Sequence, residues 1–412
     1  MQTNNGGAAQ VAPSNDDPRA HSVGVVQPIA PARAKKTGKL FELLKTKDAS
    51  FLDRTFSAEA AFDVAGLLPS RTAILFATEG GLIKTTECKR LALQMVFWMP
   101  GMMWMGRPVS RPRNGGKVIY ISGDESEDLA IDGFLGLEGA KMRDAWVAAN
   151  PDGDWLKRLV LVSSDEIDVI FRAEGQTVKR TRDGDDLYAF CEEFGPDLIV
   201  ADTAAALTDI EIDGNTKHAQ AIMRGAMAFT KLGPTWIWAH HFSKEEETRN
   251  IRAARKQTKG SAGLVDGGRA VINAWLAYPP VEQLVRDNEM GGARDGTKVI
   301  CFGVSKGNVK GIEEGLTRVF VRNPSADRFT PPPLEITDEL LNHPLGRMAL
   351  YGIHTTANFE KIYAKYRSDM AKGIPNDGTA PVAAKGKRGR PTKAAVAART
   401  AAVTPTDPDC PF

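Results

Sequence analysis

A lysine followed by a hydroxyl residue, Lys84-Thr85, stands shortly after the glycine pair Gly80-Gly81. The apolar run 73–77 before the glycines is short enough for a buried strand, and apolar residues after Thr85 recur at the spacing of one helix face. A strand, a glycine-bearing loop, a lysine–hydroxyl pair and a helix are the parts of a phosphate-binding loop. In such a loop, backbone N–H groups hold phosphate oxygens, the lysine reaches the outer phosphates and the hydroxyl binds Mg²⁺.

The loop departs from the usual G-x-x-x-x-G-K-[ST] spacing at two positions. Thr78 stands where the first glycine is usual, and Ile83 stands where the glycine before the lysine is usual. A branched side chain at Ile83 would resist a left-handed backbone angle if the loop needed one there. The loop residues alone therefore leave two interpretations open, a phosphate-binding loop and a strand–turn–helix unit with an exposed lysine.

Acidic side chains follow two further predicted strands. Asp124 and Glu125 come after the apolar run 117–122, and Asp202 ends the run 197–202. Ligands bind at the carboxyl ends of strands in open α/β sheets, and a carboxylate at such a place binds the Mg²⁺ shell in phosphate-loop ATPases. Acids near a strand end are also typical of helix amino termini, so helix capping stays open as the alternative for these residues.

Another predicted strand, residues 235–239, leads into the adjacent pair His240-His241. The segment 243–260 after it has no hydrophobic period and is mostly basic. It is predicted to be a mobile loop without regular structure, which either contacts nucleic acid or is plain solvated surface. Its basic residues are Lys244, Arg249, Arg252, Arg255, Lys256 and Lys259.

Predicted strands and helices alternate along the chain, which predicts an α/β fold with a mostly parallel central sheet covered by helices on both faces. The apolar runs 270–277 and 298–304 are expected to be the last core strands, and the polar residues 163–183 a hairpin or insert. The predicted divisions are a disordered N-terminal tail (1–38), a helical lead-in (39–70), a phosphate-loop core (71–328), a C-terminal helical extension (329–372) and a disordered basic tail (373–412).

The composition is that of a globular chain, with 412 residues, a net charge of +2 and 42% hydrophobic residues. The sequence has no signal-peptide pattern and no run of about 18 apolar residues, so no membrane partner is expected. The four cysteines are far apart and have no metal-ligand spacing. We therefore expect a cytoplasmic protein with free thiols.

The C-terminal tail contains Arg388-Gly389-Arg390-Pro391 flanked by lysines. This sequence resembles an AT-hook, in which arginines lie in the narrow minor groove of A·T-rich duplex DNA. Two interpretations stay open: the tail binds A·T-rich duplex DNA through Arg388 and Arg390, or it is an ordinary basic solvated segment.

The order of these segments resembles that of the plasmid RepA-type hexameric replicative helicases, in the RecA/DnaB-like branch of AAA-type P-loop ATPases. The resemblance covers about residues 60–325 and implies a RecA-like P-loop NTPase core at 71–328, flanked by disordered tails. The segments that carry the resemblance are 79–85, 106–108, 118–125, 197–203, 240–244, 260–269 and 302–308.

The resemblance implies the cofactors ATP and Mg²⁺, bound at an interface between two subunits. Thr85 and Asp202 are the implied Mg²⁺ ligands, and the residues implied to bind the nucleotide from the same subunit are Glu79, Gly80, Gly81, Leu82, Ile83, Lys84 and Thr85.

The remaining catalytic roles are implied in the same way. The family's catalytic acid, usually a glutamate, falls at Asp124, with Glu125 one place along, and both assignments stay open. His241 corresponds to a sensor histidine. From the neighbouring subunit, Arg269 corresponds to an arginine finger, and Lys306 to a second basic residue that contacts the nucleotide.

The function that the resemblance implies is that of an ATP-dependent DNA helicase or translocase in DNA replication. It would be a homo-oligomer, usually a hexamer in this family, with single-stranded DNA in a central channel contacted by Arg249, Arg252, Arg255 and Lys256. Two alternatives stay open. One is a RecA-like DNA-binding ATPase in repair or recombination that does not unwind DNA. The other is a degenerate DNA-binding ring that does not hydrolyse ATP, which Thr78 and Ile83 favour.

Overall fold

The computed structural model describes residues 61–175, 177–210, 215–242, 248–258, 262–323, 332–352 and 354–374. Its strands are β1 (Phe62–Val64), β2 (Leu68–Pro69), β3 (Ala73–Thr78), β4 (Met103–Trp104), β5 (Arg107–Pro108), β6 (Val118–Ser122), β7 (Leu159–Ser163), β8 (Phe171–Glu174), β9 (Thr177–Arg180), β10 (Leu198–Asp202), β11 (Thr208–Asp209), β12 (Thr235–His241), β13 (Ala270–Leu276), β14 (Lys298–Gly307), β15 (Thr317–Arg322) and β16 (Leu334–Glu335). Its α-helices are α1 (Lys84–Val96), α2 (Glu127–Leu135), α3 (Gly139–Ala149), α4 (Arg182–Phe194), α5 (Thr216–Thr230), α6 (Ile251–Gln257), α7 (Ala262–Gly267), α8 (Pro279–Asp287), α9 (Thr337–Asn342), α10 (Gly346–Leu350) and α11 (Thr356–Ala371), and a 3-10 helix spans Met290–Gly292.

Within the described ranges, the central sheet contains nine strands in the order β16-β15-β14-β13-β3-β12-β10-β6-β7. From β13 to β7 every neighbouring pair is parallel, whereas β14, β15 and β16 are antiparallel to their neighbours. The α/β fold with a mostly parallel sheet is therefore confirmed. The expectation that the run 298–304 forms the last core strand is wrong, because β15 and β16 extend the sheet beyond it.

The parallel strands are buried on both faces, which explains why they are continuous apolar runs in the sequence. Along β3, Ala73, Leu75 and Ala77 pack into one core, and Ile74 and Phe76 pack into the other. Helix α1 contributes to the second core and α5 to the first. The sheet is therefore a rigid layer between helices, and its strand ends are fixed positions for side chains.

The strand register places the functional segments along one edge of the sheet. Thr78 at the end of β3 pairs with His241, and Asp202 at the end of β10 pairs with Ser122 and Ala239. The loop before α1 and the acids that follow β6 and end β10 therefore lie along the carboxyl edge, where open α/β sheets bind ligands.

A short hairpin replaces the end of the helical lead-in predicted for residues 39–70. Strands β1 and β2 pair antiparallel, with Phe62 opposite Pro69, and Gly66 turns the chain between them at φ +71°. The apolar side chains that suggested a helix face are buried in both strands of this hairpin instead. Residues 39–60 lie outside the described residues.

Other expectations concern the insert, the tails and the membrane. The hairpin predicted within residues 163–183 is confirmed, because β8 and β9 pair antiparallel. The tail 1–38 and residues 375–412 lie outside the described residues. In the described ranges, none of the helices has the length and apolar character needed to cross a bilayer.

A buried carboxylate fixes the entry to the two strands that lead to the predicted acids. Asp197, directly before β10, is 1% exposed. Its side chain accepts hydrogen bonds from the backbone N–H groups of Arg113 (2.9 Å), Asn114 (2.9 Å), Gly116 (2.9 Å) and Lys117 (3.3 Å), in the loop that enters β6. This interaction sets the relative position of β6 and β10 at the edge opposite the acids.

We expect Asp197→Ala to lower the free energy of unfolding by about 3 kcal/mol, because several loop N–H groups lose a charged acceptor. Denaturant unfolding measures the change. The matched control is Asp152→Ala, which removes an exposed aspartate from another loop and should change stability by less than about 0.5 kcal/mol. Equal losses for the two variants would contradict the role given to Asp197.

Candidate nucleotide-binding site

The loop between β3 and α1 turns at a glycine. Gly81 lies in the left-handed region, at φ +70°, which favours glycine. Ile83 has φ −140°, and its side chain is buried in the core beside α1. The loop therefore needs no left-handed angle at position 83, and the departure from the usual glycine there introduces no backbone strain.

Lys84, the first residue of α1, is buried rather than exposed. Its Nζ forms an ion pair with Oδ1 of Asp202, and the two side chains are 5% and 4% exposed. Lys84 Nζ also lies 3.4 Å from the hydroxyl oxygen of Thr85. The alternative of an ordinary turn with an exposed lysine is therefore wrong. The structure brings together the lysine, the hydroxyl and the acid that the sequence predicted for phosphate and Mg²⁺.

A buried tyrosine holds the second oxygen of Asp202. The hydroxyl of Tyr120, on β6, donates a hydrogen bond of 2.9 Å to Asp202 Oδ2. Burial raises the pKa of Tyr120 well above its ordinary value, and the nearby charge of Asp202 raises it further. Tyr120 therefore stays protonated and keeps donating, which fixes the orientation of the carboxylate.

The two acids after β6 have different environments. Asp124 is exposed, and its Oδ2 accepts a hydrogen bond of 2.9 Å from the hydroxyl of Thr203, the residue after Asp202. Glu125 is half-buried and forms an ion pair of 2.7 Å with Nζ of Lys89, a lysine of α1 that is 2% exposed. Glu125 is thus held by a buried cation, whereas Asp124 faces solvent beside the strand that ends in Asp202.

The two histidines at the end of β12 also differ. His241 is exposed and lies beside the loop, in register with Thr78. His240 is only partly exposed. Burial lowers its pKa to about 4, with further lowering by the charges of His241 and Lys84. His240 is therefore neutral at pH 7, and His241 is the histidine placed to meet a ligand at the loop.

The loop, Lys84, Thr85 and His241 line a cavity of about 380 Å³ at the carboxyl edge. The side that includes Gly296, Lys298 and Arg322 was not predicted from the sequence. The lining residues are Thr78, Gly81, Leu82, Ile83, Lys84, Thr85, Thr86, His241, Gly296, Lys298 and Arg322. Lys298 and Arg322 each stand at one end of an apolar run. This position is the one sequence signal that could have indicated them.

Glu79, predicted to bind the nucleotide, directs its side chain away from this cavity. Its Oε2 accepts a hydrogen bond of 3.2 Å from the backbone N–H of Leu276, and Thr248 hydrogen-bonds to the same carboxylate. Burial raises the pKa of Glu79, against the effect of these two hydrogen bonds. A carboxylate would repel phosphate, so only the backbone of Glu79 contributes to the loop.

Arg269 and Lys306 lie at the opposite edge of the sheet. Arg269 precedes β13, and its N–H bonds to the carbonyl of Ala73 at the amino end of β3. That end is about 17 Å from Thr78 at 3.3 Å per residue, which is beyond the reach of an arginine side chain. Lys306 Nζ donates 2.8 Å hydrogen bonds to the carbonyls of Val265 and Asp266. Neither residue can contact the phosphate loop of its own chain.

The basic segment after β12 contains a helix, so the expectation of a segment without regular structure is wrong for its described part. Asn250 caps α6 by accepting hydrogen bonds from the N–H groups of Arg252 (3.0 Å) and Ala253 (3.1 Å). Only Ala254 and Gln257 of α6 are buried, which explains the missing hydrophobic period.

The four predicted DNA contacts of this segment are not equivalent. Arg249, Arg252 and Lys256 are exposed, whereas Arg255 is half-buried and donates a hydrogen bond of 3.3 Å to the carbonyl of Ser305. The predicted DNA contacts Arg388 and Arg390, and the other basic residues Lys244 and Lys259, lie outside the described residues.

The donors at this site fit Mg²⁺ bound together with phosphate. Thr85 and Asp202 provide oxygen atoms, which Mg²⁺ prefers. Within the described ranges, no group of three or more His, Cys, Asp or Glu side chains could hold a metal ion. A site with one or two protein ligands, completed by phosphate oxygens and water, is usual for Mg²⁺ at a nucleotide.

The different environments of Asp124 and Glu125 separate their roles. We expect Asp124→Asn to reduce the rate of ATP hydrolysis by roughly a hundredfold or more, because a solvent-facing carboxylate that could accept a proton is lost. We expect Glu125→Gln to change the rate less than tenfold but to lower the free energy of unfolding by about 2 kcal/mol, because buried Lys89 loses its charged partner. Steady-state hydrolysis and denaturant unfolding measure the two effects, and the opposite pattern would assign the catalytic acid to Glu125.

A family model described as an AAA domain matches residues 41–247. No curated protein matches the chain. Many solved structures are similar to it, including the following two. The flagellar accessory protein FlaH from Methanocaldococcus jannaschii is 13% identical over 65% of this chain and 90% of that chain, with a TM-score of 0.37. The second structure, that of an ATPase domain, is 10% identical over 61% of this chain and 81% of that chain, with a TM-score of 0.38. The family model spans half of the sequence, and the protein therefore belongs to this family of AAA domains.

Proposed function

We propose that the protein is an ATP-dependent DNA helicase or translocase of the RepA/DnaB type that acts in DNA replication. The observation that carries the proposal is the ion pair between Lys84 and Asp202, which joins the phosphate loop to the strand of the metal-binding acid. Membership of the AAA domain family supports a P-loop ATPase. The DNA substrate and the coupling to DNA movement are the further steps of the proposal.

In the proposed reaction, the N–H groups of the loop and the amino end of α1 bind the phosphates of ATP. Lys84 would leave Asp202 and contact the outer phosphates. Asp202 and Thr85 would hold Mg²⁺, which would neutralise phosphate charge. Asp124 orients the attacking water, and His241 lies where it can detect the outer phosphate. Tyr120 keeps Asp202 oriented throughout, because its hydroxyl remains a donor.

The proposed active unit is an oligomer, and we favour a hexamer. Arg269 is exposed and lies at the edge opposite its own phosphate loop, so it can reach a nucleotide only on a neighbouring chain. Lys306 lies beside it, and the charges of Arg255 and Arg269 lower the pKa of Lys306 in addition to the larger effect of burial. A cationic edge on one subunit facing the anionic nucleotide of the next makes hydrolysis depend on assembly.

The proposed contact with single-stranded DNA is the exposed face of α6. Arg252 and Lys256 are four residues apart and share a face of the helix, and Arg249 immediately precedes its cap. The network from Glu79 through Thr248 to Gln257 joins the start of the phosphate loop to this helix. A change at the nucleotide could therefore alter the position of the basic face.

The structure bears differently on the two alternative functions, the non-hydrolysing ring and the ATPase that does not unwind DNA. Thr78 and Ile83 favour the degenerate, non-hydrolysing ring, but the φ of −140° at Ile83 removes the objection that the loop needs a left-handed angle at that position. A RecA-like DNA-binding ATPase in repair or recombination would use the same ATP site without strand separation. Unwinding of a forked duplex in the presence of ATP distinguishes it from the helicase. Binding of A·T-rich duplex DNA by Arg388 and Arg390 stays a prediction.

The test of the proposed function is phosphate release from ATP with and without single-stranded DNA, followed by unwinding of a forked duplex. We expect DNA to stimulate the wild-type protein. Alanine at Arg249, Arg252 and Lys256 together should weaken single-strand binding and flatten its salt dependence, by roughly one unit of slope for each phosphate that the variant no longer binds. Arg255→Ala is the matched control, because Arg255 bonds to Ser305. If the triple variant has the same DNA affinity and the same salt dependence as the wild type, the exposed face of α6 does not contact DNA.

Arg269 provides the test of assembly. We expect Arg269→Ala to reduce hydrolysis roughly a thousandfold, as loss of an arginine finger does. Mixing Arg269→Ala subunits with Lys84→Ala subunits should restore activity, because some interfaces then combine an intact loop with an intact arginine. Mixing Lys84→Ala with the double variant Lys84→Ala/Arg269→Ala is the control, since no interface has a lysine. Mixed oligomers that form but stay inactive in the first mixture would rule out action of Arg269 between subunits.

A further inference from the structure

The cavity at the phosphate loop has a second cationic side. Lys298, the first residue of β14, and Arg322, the last residue of β15, pair with each other across the antiparallel strands. Both line the same cavity as Lys84 and Thr85. They belong to the same chain as the loop, so they differ from Arg269, which lies at the other edge of the sheet.

Both cations contact carbonyl groups of the loop. Arg322 Nη1 donates a hydrogen bond of 3.0 Å to the carbonyl of Leu82, and Lys298 Nζ donates one of 3.3 Å to the carbonyl of Gly81. The two hydrogen bonds attach both cations to the loop that precedes Lys84, so they lie beside any phosphate that this loop binds.

Two like charges directly opposite each other on neighbouring strands repel and destabilise the sheet. The backbone carbonyls that they contact carry only partial charge. Glu87, a buried acid of α1, attracts Arg322, but it also pairs with Arg90 at 3.3 Å. Lys298 is exposed and faces the cavity. An anion in the cavity would offset the repulsion between these two cations.

The order of the strands decides which part of a nucleotide these cations meet. Asp202 ends β10, His241 ends β12 and Asp124 follows β6, and these strands lie on one side of β3. An outer phosphate would lie on that side, because Asp202 and Thr85 would hold Mg²⁺ there and Mg²⁺ would neutralise phosphate charge. Lys298 and Arg322 lie on the other side of β3, with β14 and β15. An inner phosphate and the nucleoside would therefore extend toward them.

We propose that Lys298 and Arg322 form a second phosphate-binding pair, which acts within one subunit on the inner phosphates of a bound nucleoside triphosphate or diphosphate. The inference rests on the proposed ATP site and names two residues of that site that the family resemblance did not assign. Arg322 holds the loop and adds positive charge to the cavity, while exposed Lys298 contacts the phosphate directly.

The experiment measures dissociation constants for Mg-ATP and Mg-ADP by calorimetry with the full chain. We expect Lys298→Ala and Arg322→Gln each to weaken binding of both nucleotides roughly tenfold. Lys298→Ala removes a charged hydrogen bond to a phosphate that ATP and ADP share, and Arg322→Gln removes a positive charge beside the same phosphate. Arg322→Lys, which keeps the charge, should recover part of the affinity. Lys361→Ala, an exposed lysine of α11, is the matched control and should bind both nucleotides like the wild type.

The outcomes separate this inference from the proposed function. Wild-type binding with unchanged affinity in Lys298→Ala and Arg322→Gln would overturn the inference alone. Weaker ATP binding with unchanged ADP binding would place the pair at the outer phosphate and also overturn it. A wild-type protein that binds neither nucleotide would refute the proposed ATP site and the inference together. If Arg322→Gln fails to fold because Glu87 loses a cation, exposed Lys298→Ala still decides the result.

Discussion

The ion pair between Lys84 and Asp202 is the interaction on which the site depends. Both side chains are almost fully buried. Burial of a charged pair costs desolvation energy that the attraction between the charges barely offsets, so such a pair is weak evidence for a stabilising role. It joins the start of α1 to the end of β10 and places a cation and an anion at the strand edge. A bound Mg²⁺–nucleotide complex would provide a new partner for each charge. A phosphate would pair with the lysine, and Mg²⁺ would pair with the carboxylate.

The rest of the fold positions these two charges. The parallel register brings β3, β12, β10 and β6 to the same edge, and Asp197 fixes the entry to two of these strands. Tyr120 supports Asp202 from β6, while Lys89 neutralises the acid that neighbours Asp124. The antiparallel strands β14 and β15 then return to the loop from the other side of β3. The site is therefore two-sided, with acids and histidine on one side and cations on the other.

The sequence predicted the parts of this site that lie close to a recognisable local pattern. Lys84-Thr85 could be found because it stands where a glycine-bearing loop meets a helix, and Asp202 could be found because it ends an apolar strand. Lys298 and Arg322 could not, since only the pairing of β14 with β15 brings them to a loop more than two hundred residues earlier. The G-x-x-x-x-G-K-[ST] pattern places a glycine at position 83, and Ile83 would be unfavourable there if the loop needed a left-handed backbone angle. The observed φ of −140° shows that the loop has no such angle at Ile83. Helix α6 was missed because its buried side consists of Ala254 and Gln257, which give no apolar period.

A structure of the protein with Mg²⁺ and a non-hydrolysable ATP analogue would test the proposed nucleotide site directly. We expect the ion pair between Lys84 and Asp202 to be broken in that complex. Lys84 Nζ would then lie within hydrogen-bond distance of an outer phosphate oxygen, and Asp202 would face the metal shell with Tyr120 still bound to it. A triphosphate located elsewhere, with the Lys84–Asp202 pair intact, would contradict the central claim.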